Sequence, residues 1–233
     1  MKKDFICIGH RGAMGHAPEN TLLSIEKALE FGVKWIEIDV YCVEGKLIVI
    51  HDDRLERTTN GKGYVQNQNI KYIRSLDAGK GQRIPFLEEV IKLIEGRASL
   101  NIELKGINTA EEVLKSIHAN IKTRKWKKEN FLISSFNHHE LNKVKLYDPK
   151  IRTGALICAL PLDYASFGSI LGAYSINPSI EFVNSEFIKD AHKRGMKVLV
   201  YTVNHPEDMR KMYDLGADGI FTNYPDVFFD LFG

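Results

Sequence analysis

The sequence predicts an α/β protein of the (β/α)8 barrel class, also called a TIM barrel. Short apolar runs typical of strands alternate with segments of helical periodicity along all 233 residues, as parallel βα units do. Eight units in this chain would average roughly 29 residues each, which suits a barrel. Polar and charged residues follow at least three of the strands, and barrels place their active sites at those strand ends.

An open doubly wound sheet is the structural alternative. Such a sheet would concentrate its chemically active residues at one switch point. The sequence has no glycine-rich phosphate loop of GxGxxG or Walker type to support it. We therefore predict a single TIM-barrel catalytic domain over residues 1–233, with a small insertion after the strand that ends at His51.

The predicted strands are short hydrophobic runs, and the predicted helices have apolar residues at helical spacing. In chain order the strands cover residues 5–9, 35–40, 47–50, 99–104, 131–135, 153–157, 174–178, 197–203 and 219–222. The first helix lies within residues 18–32, where Asn20 and Thr21 form a polar cap region and Gly32 is a stop signal. The later helices cover residues 87–94, 109–122, a segment through 146, a segment ending near 172, and residues 185–194 and 206–215.

Residues 52–86 interrupt this alternation. The segment contains TTNGKG and several further glycines, and it is too polar to be one barrel unit. Loops at the carboxyl ends of barrel strands carry substrate contacts, so we predict a lid or specificity element here. A surface insertion without a role in function is the alternative.

Composition excludes several classes of function. A formal net charge of +2 lacks the broad basic field of a nucleic-acid binder, and the basic run at residues 122–128 is more typical of an exposed helix end. The apolar stretches are too short for an integral membrane segment. Cys7, Cys42 and Cys158 are widely spaced in apolar surroundings, which predicts buried thiols in a reducing compartment and therefore a cytoplasmic location. The oligomeric state is left open.

Carboxylates on two strands predict a metal site. Glu37 and Asp39 lie two residues apart in WIEIDV and therefore share one face of a strand, and Glu103 lies in a second strand, NIELK. Three carboxylates at one barrel mouth would raise one another's pKa unless a cation compensated them. Oxygen ligands suit Mg²⁺, Ca²⁺ or Mn²⁺. An exposed polar strand face is the alternative interpretation, and it explains Glu103 less well.

Two cations and two histidines complete the candidate site. Arg11 and Lys105 are suited to phosphate oxygens, and with a divalent ion they balance the three carboxylates and one singly charged phosphodiester. A structural Arg11 paired with a neighbouring acid is the alternative. His10 and His51 directly follow apolar strands, and such a pair can act as general base and general acid across a phosphorus centre. Other histidines, such as His138, are expected to be hydrogen-bonded structural residues.

These motifs resemble those of the glycerophosphodiester phosphodiesterase family. The match begins with HRG at His10 and PENT at residues 18–21, and it continues through GVKWIEIDV and HDDRLERTTNGKG. It then includes IPFLEEV, NIELK, the TVN at residues 202–204 and GADGIFTNYPD near the C-terminus. The resemblance therefore spans nearly the whole chain in order. Tyr201 and Asn223 stand where relatives often have tryptophan and aspartate, and we expect neither change to affect the catalytic set.

The resemblance implies a TIM barrel that hydrolyses glycerophosphodiesters to glycerol 3-phosphate and an alcohol with Mg²⁺ or Ca²⁺, in the salvage of degraded lipids. The seven residues that carry these implied roles are all present in the chain. His10 and His51 become the acid and base, Arg11 and Lys105 bind the phosphate, and Glu37, Asp39 and Glu103 bind the metal. The attacking group, water or a glycerol hydroxyl of the substrate, stays open, as does the head group.

Three alternatives compete with this function. A lysophospholipase D-type phosphodiesterase would need an apolar groove, which Phe167, Ile170, Leu171 and Tyr174 could line, although their spacing also fits a buried helix face. A Mg²⁺-dependent enolising barrel also gathers carboxylates at strand ends but has no need of two histidines beside an arginine. A non-catalytic phospholigand-binding barrel is the third alternative, but it would not need both histidines and all three carboxylates.

Overall fold

The computed structural model describes residues 5–123 and 125–233. Within them, nine strands form one sheet. The strands are β1 (Ile6–Gly9), β2 (Trp35–Val43), β3 (Lys46–Val49), β4 (Ser99–Leu104), β5 (Phe131–Ser135), β6 (Arg152–Ile157), β7 (Ser175–Pro178), β8 (Lys197–Val200) and β9 (Gly219–Thr222). Eight of these strands are parallel, and β1 pairs with both β9 and β2, which closes the barrel. The predicted fold class is confirmed.

Helices follow the barrel strands, as the alternation predicts. They are α1 (Leu22–Glu30), α2 (Ile70–Ser75), α3 (Leu87–Ile94), α4 (Ala110–Ile121), α5 (His138–Tyr147), α6 (Ser166–Ile170), α7 (Ser185–Lys193), α8 (Pro206–Leu215) and α9 (Pro225–Phe232). The cap signals act as expected at α1, where the Thr21 side chain accepts a hydrogen bond from the Ser24 N–H. None of the helices in the described ranges is long and apolar enough to cross a membrane.

The main core lies between the barrel and its helices. Ile36, Ile38 and Val40 of β2 point into it, so the alternate residues Glu37 and Asp39 point into the barrel. A smaller apolar cluster around Ile8, Leu132, Leu199 and Phe221 fills the barrel interior. The barrel is therefore packed inside and polar near Glu37 and Asp39.

One strand departs from the predicted parallel arrangement. β3 pairs antiparallel with the end of β2, from Val40 opposite Val49 to Val43 opposite Lys46. Glu44 and Gly45 connect the two strands, and both have positive φ, at 48° and 71°. A two-residue turn of this kind forms a tight hairpin. β3 is therefore an extension beside the barrel, and the prediction of parallel strands throughout was wrong at this point.

The segment after His51 has a small core of its own. Leu55, Val65, Ile73 and Ile84 are fully buried there, and they pack on Ile48 and other residues of the β2–β3 hairpin. α2 lies within this segment and was not predicted, and neither was the C-terminal helix α9. Within the basic run at 122–128, Trp126 is buried and stacks on Phe131, and Arg124 lies outside the described residues.

Candidate active site

The pairing of β2 with β4 brings the three carboxylates together. Asp39 is the direct neighbour of Glu103, and Glu37 is the direct neighbour of Asn101. Because side chains alternate along a strand, all four point to the same side, into the barrel. Glu37, Asp39 and Glu103 are buried, and each has a carboxylate oxygen within 4.8 Å of such an oxygen on the other two.

The charge of this cluster is incompletely compensated by the protein. Glu37 Oε1 and Asp39 Oδ1 are buried without a hydrogen-bond partner. Burial and the neighbouring Asp39 raise the pKa of Glu37 well above its usual range, and the same causes raise that of Glu103 to about 7. Buried ionised oxygens without partners are costly. A divalent cation with oxygen ligands fits the three side chains and would remove this cost.

The other oxygens of two carboxylates are held by protein donors. Glu37 Oε2 accepts the backbone N–H of Arg11 at 2.9 Å. Asp39 Oδ2 accepts the Asn20 side-chain amide at 2.8 Å, and the Asn20 Oδ1 accepts the Asp39 backbone N–H at 3.2 Å. Asn20 lies in the PENT motif, and its fixed contacts orient Asp39. Such second contacts are typical of metal ligands.

The HRG turn after β1 places Arg11 beside the carboxylates. Gly12 has a φ of +85°, and a Cβ there would lie 2.5 Å from Ser24 Oγ, so only glycine fits. Arg11 itself adopts a positive φ of 52°. Its guanidinium pairs with Glu19 at 2.6 Å and approaches Asp39 at 3.4 Å. The paired arginine considered as an alternative is therefore present, although the same side chain also lines the cavity described below.

Lys105 connects the carboxylates to His51. Its Nζ lies 2.8 Å from Glu103 and 3.8 Å from Asp39, and 3.1 Å from Nε2 of His51. Burial lowers the pKa of Lys105, but the two carboxylates outweigh burial and raise it. Because an ammonium group only donates, His51 Nε2 is an acceptor in this arrangement.

Each candidate histidine is held through its Nδ1 atom. His51 Nδ1 lies 2.6 Å from the Asp52 carboxylate, and His10 Nδ1 lies 2.7 Å from Oδ1 of Asn223. Both acceptors make Nδ1 the protonated nitrogen, so Nε2 is the ring atom that can exchange a proton; in His51 this atom lies 3.1 Å from Lys105 Nζ. Burial lowers the pKa of His51, and burial together with Arg11 lowers that of His10 to about 4. In this arrangement burial therefore favours the neutral form of each ring.

Five of the seven candidate residues line one cavity of about 200 Å³ at the carboxyl ends of the strands. The other two, Asp39 and Lys105, contact the lining residues Arg11 and Glu103. The wall of the cavity has a polar side and an apolar side. The residues that line it are His10, Arg11, Glu37, His51, Asn101, Glu103, Phe136, Leu156, Tyr201, Thr202 and Phe221. A small polar molecule with one anionic group and an apolar portion fits this wall.

Several contacts were not expected from the sequence. Asn223 binds His10 directly and Tyr201 lines the cavity, so both substitutions do affect the surroundings of the catalytic set. Asn204 of the TVN motif accepts the Asn223 backbone N–H at 2.9 Å. The PENT and TVN motifs were visible in the sequence, but their partners were not. His138, by contrast, contacts the Leu156 carbonyl and is structural as predicted.

The apolar groove considered for an acyl chain is not formed. Phe167 and Leu171 pack against the main core, whereas Ile170 is exposed. Tyr174 precedes β7, at the opposite end of the barrel from the cavity, where it stacks with Arg152. None of these side chains lines the cavity.

Comparison with known proteins agrees with this geometry. The model of the glycerophosphoryl diester phosphodiesterase family matches residues 10–227. The chain belongs to this family. A glycerophosphodiester phosphodiesterase from Caldanaerobacter subterraneus subsp. tengcongensis is 36% identical over 97% of both chains. One from Bacillus subtilis is 32% identical over 96% of this chain and 85% of its own length.

Solved structures of the family have the same fold. A phosphodiesterase from Oleispira antarctica, in complex with its product sn-glycerol-3-phosphate, has a TM-score of 0.87 and 32% identity, and it covers 98% of this chain and 97% of its own. The chain is thus an enzyme, a glycerophosphodiester phosphodiesterase that acts on a small-molecule substrate. The family is generally dependent on a divalent metal, and the acidic cluster of Glu37, Asp39 and Glu103 could hold one.

Proposed function

We propose that this phosphodiesterase hydrolyses glycerophosphocholine, glycerophosphoethanolamine and similar diesters to glycerol 3-phosphate and the free alcohol. The observation that carries the proposal is that His10 and His51 line one cavity together with Glu37 and Glu103, two members of the three-carboxylate cluster. The product complex of the Oleispira antarctica relative supports the identity of the phosphate product. Such products suit salvage of glycerol 3-phosphate from degraded lipids.

In the proposed reaction the two histidines transfer protons on opposite sides of phosphorus. One accepts the proton of the attacking hydroxyl, from water or from a glycerol hydroxyl of the substrate, and the other protonates the leaving alkoxide. Arg11 and Lys105 stabilise negative charge on the phosphate oxygens. The Nδ1 contacts to Asn223 and Asp52 make Nε2 the transferring atom of both rings, and substrate would have to displace Lys105 from Nε2 of His51.

Glu37, Asp39 and Glu103 are the proposed ligands of one Mg²⁺ or Ca²⁺ ion. When bound, the ion polarises phosphoryl oxygen and offsets charge that the reaction develops. The unpartnered buried oxygens of Glu37 and Asp39 support this assignment. Both ions accept carboxylate oxygen, and they differ in the number of ligands and in the rigidity that they require.

We expect the purified enzyme to release glycerol 3-phosphate from glycerophosphocholine only with a divalent metal. Release should fall to background with chelator and return when Mg²⁺ or Ca²⁺ is restored, because the carboxylate cluster needs a cation. Enzyme-coupled detection of glycerol 3-phosphate measures this directly. Undiminished turnover of chelated, metal-analysed protein would contradict the metal assignment.

A substitution of Asn223 by aspartate should reveal which histidine role belongs to His10. The new carboxylate, close to His10 Nδ1, favours the imidazolium and raises the pKa of His10 by about one unit. If His10 is the base, activity requires the neutral ring, so the low-pH limb moves to higher pH. If His10 is the acid, activity requires the protonated ring, so the high-pH limb moves to higher pH. A pH profile of kcat/KM with neither limb displaced would contradict both roles.

Hydrolysis of lysophospholipids is the second candidate. It is favoured by exposed apolar side chains on loops that follow consecutive barrel strands: Ile107 after β4, Phe136 after β5 and Leu162 after β6. These side chains differ from those that the sequence suggested. Turnover of lysophosphatidylcholine comparable to that of glycerophosphocholine would favour this candidate, and a preference for the soluble diester would favour the first.

We further propose that residues 1–233 act as one catalytic domain and that residues 52–86 are an insertion at the substrate side of the barrel. The contacts of this segment with the β2–β3 hairpin and with Glu19, which also binds Arg11, support that placement. All three thiols are free, but only that of Cys7 is buried as expected, whereas Cys158 is exposed. Free thiols support the cytoplasm as the location of the protein.

A further inference from the structure

Arg57 of the insertion binds two carboxylates at once. Its Nε and Nη2 donate to Asp52 at 2.6 and 2.8 Å, and its Nη1 and Nη2 donate to Glu19 at 2.7 and 2.8 Å. Both contacts are bidentate, which is the strong and geometrically specific form of an arginine–carboxylate pair. Nη2 serves both partners, so Asp52 and Glu19 converge on one guanidinium group.

Each of these carboxylates also holds a residue of the candidate site. The Asp52 oxygen that accepts from Nη2 lies 2.6 Å from His51 Nδ1. The Glu19 oxygen that accepts from Nη2 also accepts the Arg11 guanidinium at 2.6 Å. Arg57 is therefore linked to His51 through Asp52 and to Arg11 through Glu19.

The backbone around Arg57 is fixed by the core of the insertion. Leu55 is fully buried in that core, and its carbonyl accepts both the N–H and the side-chain hydroxyl of Thr59 at 3.1 and 2.7 Å. The Leu55 N–H in turn donates to the Gly63 carbonyl. This turn holds Arg57 from both sides and connects the packing of the insertion to the site.

We propose that Arg57 is a positioning residue that sets the His51 ring and the Arg11 guanidinium through Asp52 and Glu19. The inference rests on the proposed role of His51. It gives residues 52–86 a part in catalysis that a surface insertion would lack. It also explains why the insertion packs at this edge of the barrel.

A plain surface ion pair is the competing interpretation. The Arg57 side chain is 48% exposed, and exposed pairs often contribute little to stability. A pair that contributes little to stability can still matter for catalysis. Without Arg57, the Asp52 and Glu19 carboxylates lose their shared cation. Each can then rotate, and His51 and Arg11 rotate with them. Small displacements of catalytic groups cost up to about 100-fold in rate.

The test combines Arg57→Ala with Asp52→Asn and Glu19→Gln, and Arg54→Ala is the matched control. Arg54 lies in the same insertion, and among the described residues its side chain pairs only with exposed Glu56 and Tyr64. We expect Arg57→Ala to lower kcat for glycerophosphocholine by about 10- to 100-fold, and Arg54→Ala to leave it unchanged. Because Arg57 is proposed to act through Asp52 and Glu19, its removal should cost less than about threefold in a background that carries both Asp52→Asn and Glu19→Gln. Millimolar guanidinium should partly restore Arg57→Ala, whereas NaCl should not.

The outcomes separate this inference from the proposed function. If His51→Ala lowers kcat but Arg57→Ala matches the parent enzyme, Arg57 has no positioning role. If Arg57→Ala costs as much in the background of Asp52→Asn with Glu19→Gln as in the parent enzyme, Arg57 acts as a general structural residue and the inference is wrong. If His51→Ala itself keeps full activity, the proposed function is wrong. Thermal unfolding checks each variant, and Arg57→Gln replaces Arg57→Ala if that variant fails to fold.

Discussion

Replacing His51 or His10 by alanine is expected to lower kcat by about 10²- to 10⁴-fold, the usual contribution of a general acid or base. The two rings line the same cavity, and each is fixed through Nδ1 by Asp52 or Asn223. Alanine removes the proton-transferring nitrogen but leaves the neighbouring carboxylate cluster in place. KM should therefore change far less than kcat, as measured by initial rates of glycerol 3-phosphate release.

His139→Ala is the matched control because His139 is exposed on α5 and lies outside the cavity lining. It should retain the parent rate. If His10→Ala and His51→Ala each stay within a few fold of the parent enzyme, neither ring transfers a proton in the reaction.

Substrates with different leaving groups can show which histidine is the general acid and which is the general base. An alkoxide needs a proton as it departs, whereas 4-nitrophenolate does not. On a glycerol phosphodiester with a 4-nitrophenyl group, the variant that lacks the general acid should recover most of its loss. The variant that lacks the general base should stay impaired, because attack on phosphorus still requires proton removal. Equal recovery of His10→Ala and His51→Ala would contradict a division of labour between them.

The carboxylate cluster could be predicted because it depends on local rules. Alternation along a strand puts Glu37 and Asp39 on one face, and the parallel pairing of neighbouring barrel strands puts Glu103 beside Asp39. The order of elements likewise predicts the barrel. Helices α3 and α8 begin and end where the apolar pattern and Pro206 predict.

Partners that are distant in sequence could not be found in this way. Asn223 contacts His10 across 213 positions, because closure of the barrel places β9 beside β1. Arg57 meets Glu19 across 38 positions, because an irregular insertion folds over the strand ends. Neither contact can be predicted from the periodicity of apolar residues in the sequence. Asn20 and Glu19 belong to a motif that was recognised, yet their roles depend on these tertiary contacts.

Two features that were not predicted, the antiparallel pairing of β3 and the helix α9, could have been recognised in the sequence. Glu44-Gly45 between two apolar runs is a hairpin turn pattern, and both residues have positive φ. It would have assigned β3 to an antiparallel pair. Pro225 followed by Asp226 opens α9, and proline at the first position with an acid in the first turn is a helix start signal. Both were missed because the elements were assigned on the assumption that strands and helices alternate along the whole chain.

Replacing Glu37 by glutamine is expected to abolish metal-dependent activity without destabilising the metal-free protein. Glu37 Oε1 is buried without a partner, while Oε2 accepts the Arg11 N–H, a bond that the glutamine carbonyl can keep. The substitution removes one negative charge from the cluster. Metal affinity should fall by at least about 10-fold, and kcat/KM at limiting metal should fall with it.

Thermal unfolding gives a readout that is independent of activity. A metal present at about 100 times its Kd stabilises the folded state by about 2.7 kcal/mol, which is a Tm increase of roughly 5 to 10 °C for a chain of this length. The parent enzyme should show this increase with Mg²⁺ or Ca²⁺, and Glu37→Gln should lose most of it. Glu26→Gln, the same change on an exposed face of α1, should keep it.

The stability of the metal-free protein should decrease as the pH rises. The pKa of Glu37 and Glu103 is raised in the folded state, so the protonated carboxyls contribute stability below the ordinary glutamate pKa. That stability is lost as pH rises through the folded-state values, which for Glu103 is about 7. In chelator, the parent Tm should therefore fall between acidic and neutral pH, and Glu37→Gln should flatten this fall. A cluster built only as a polar strand face would show neither the metal effect nor the pH effect.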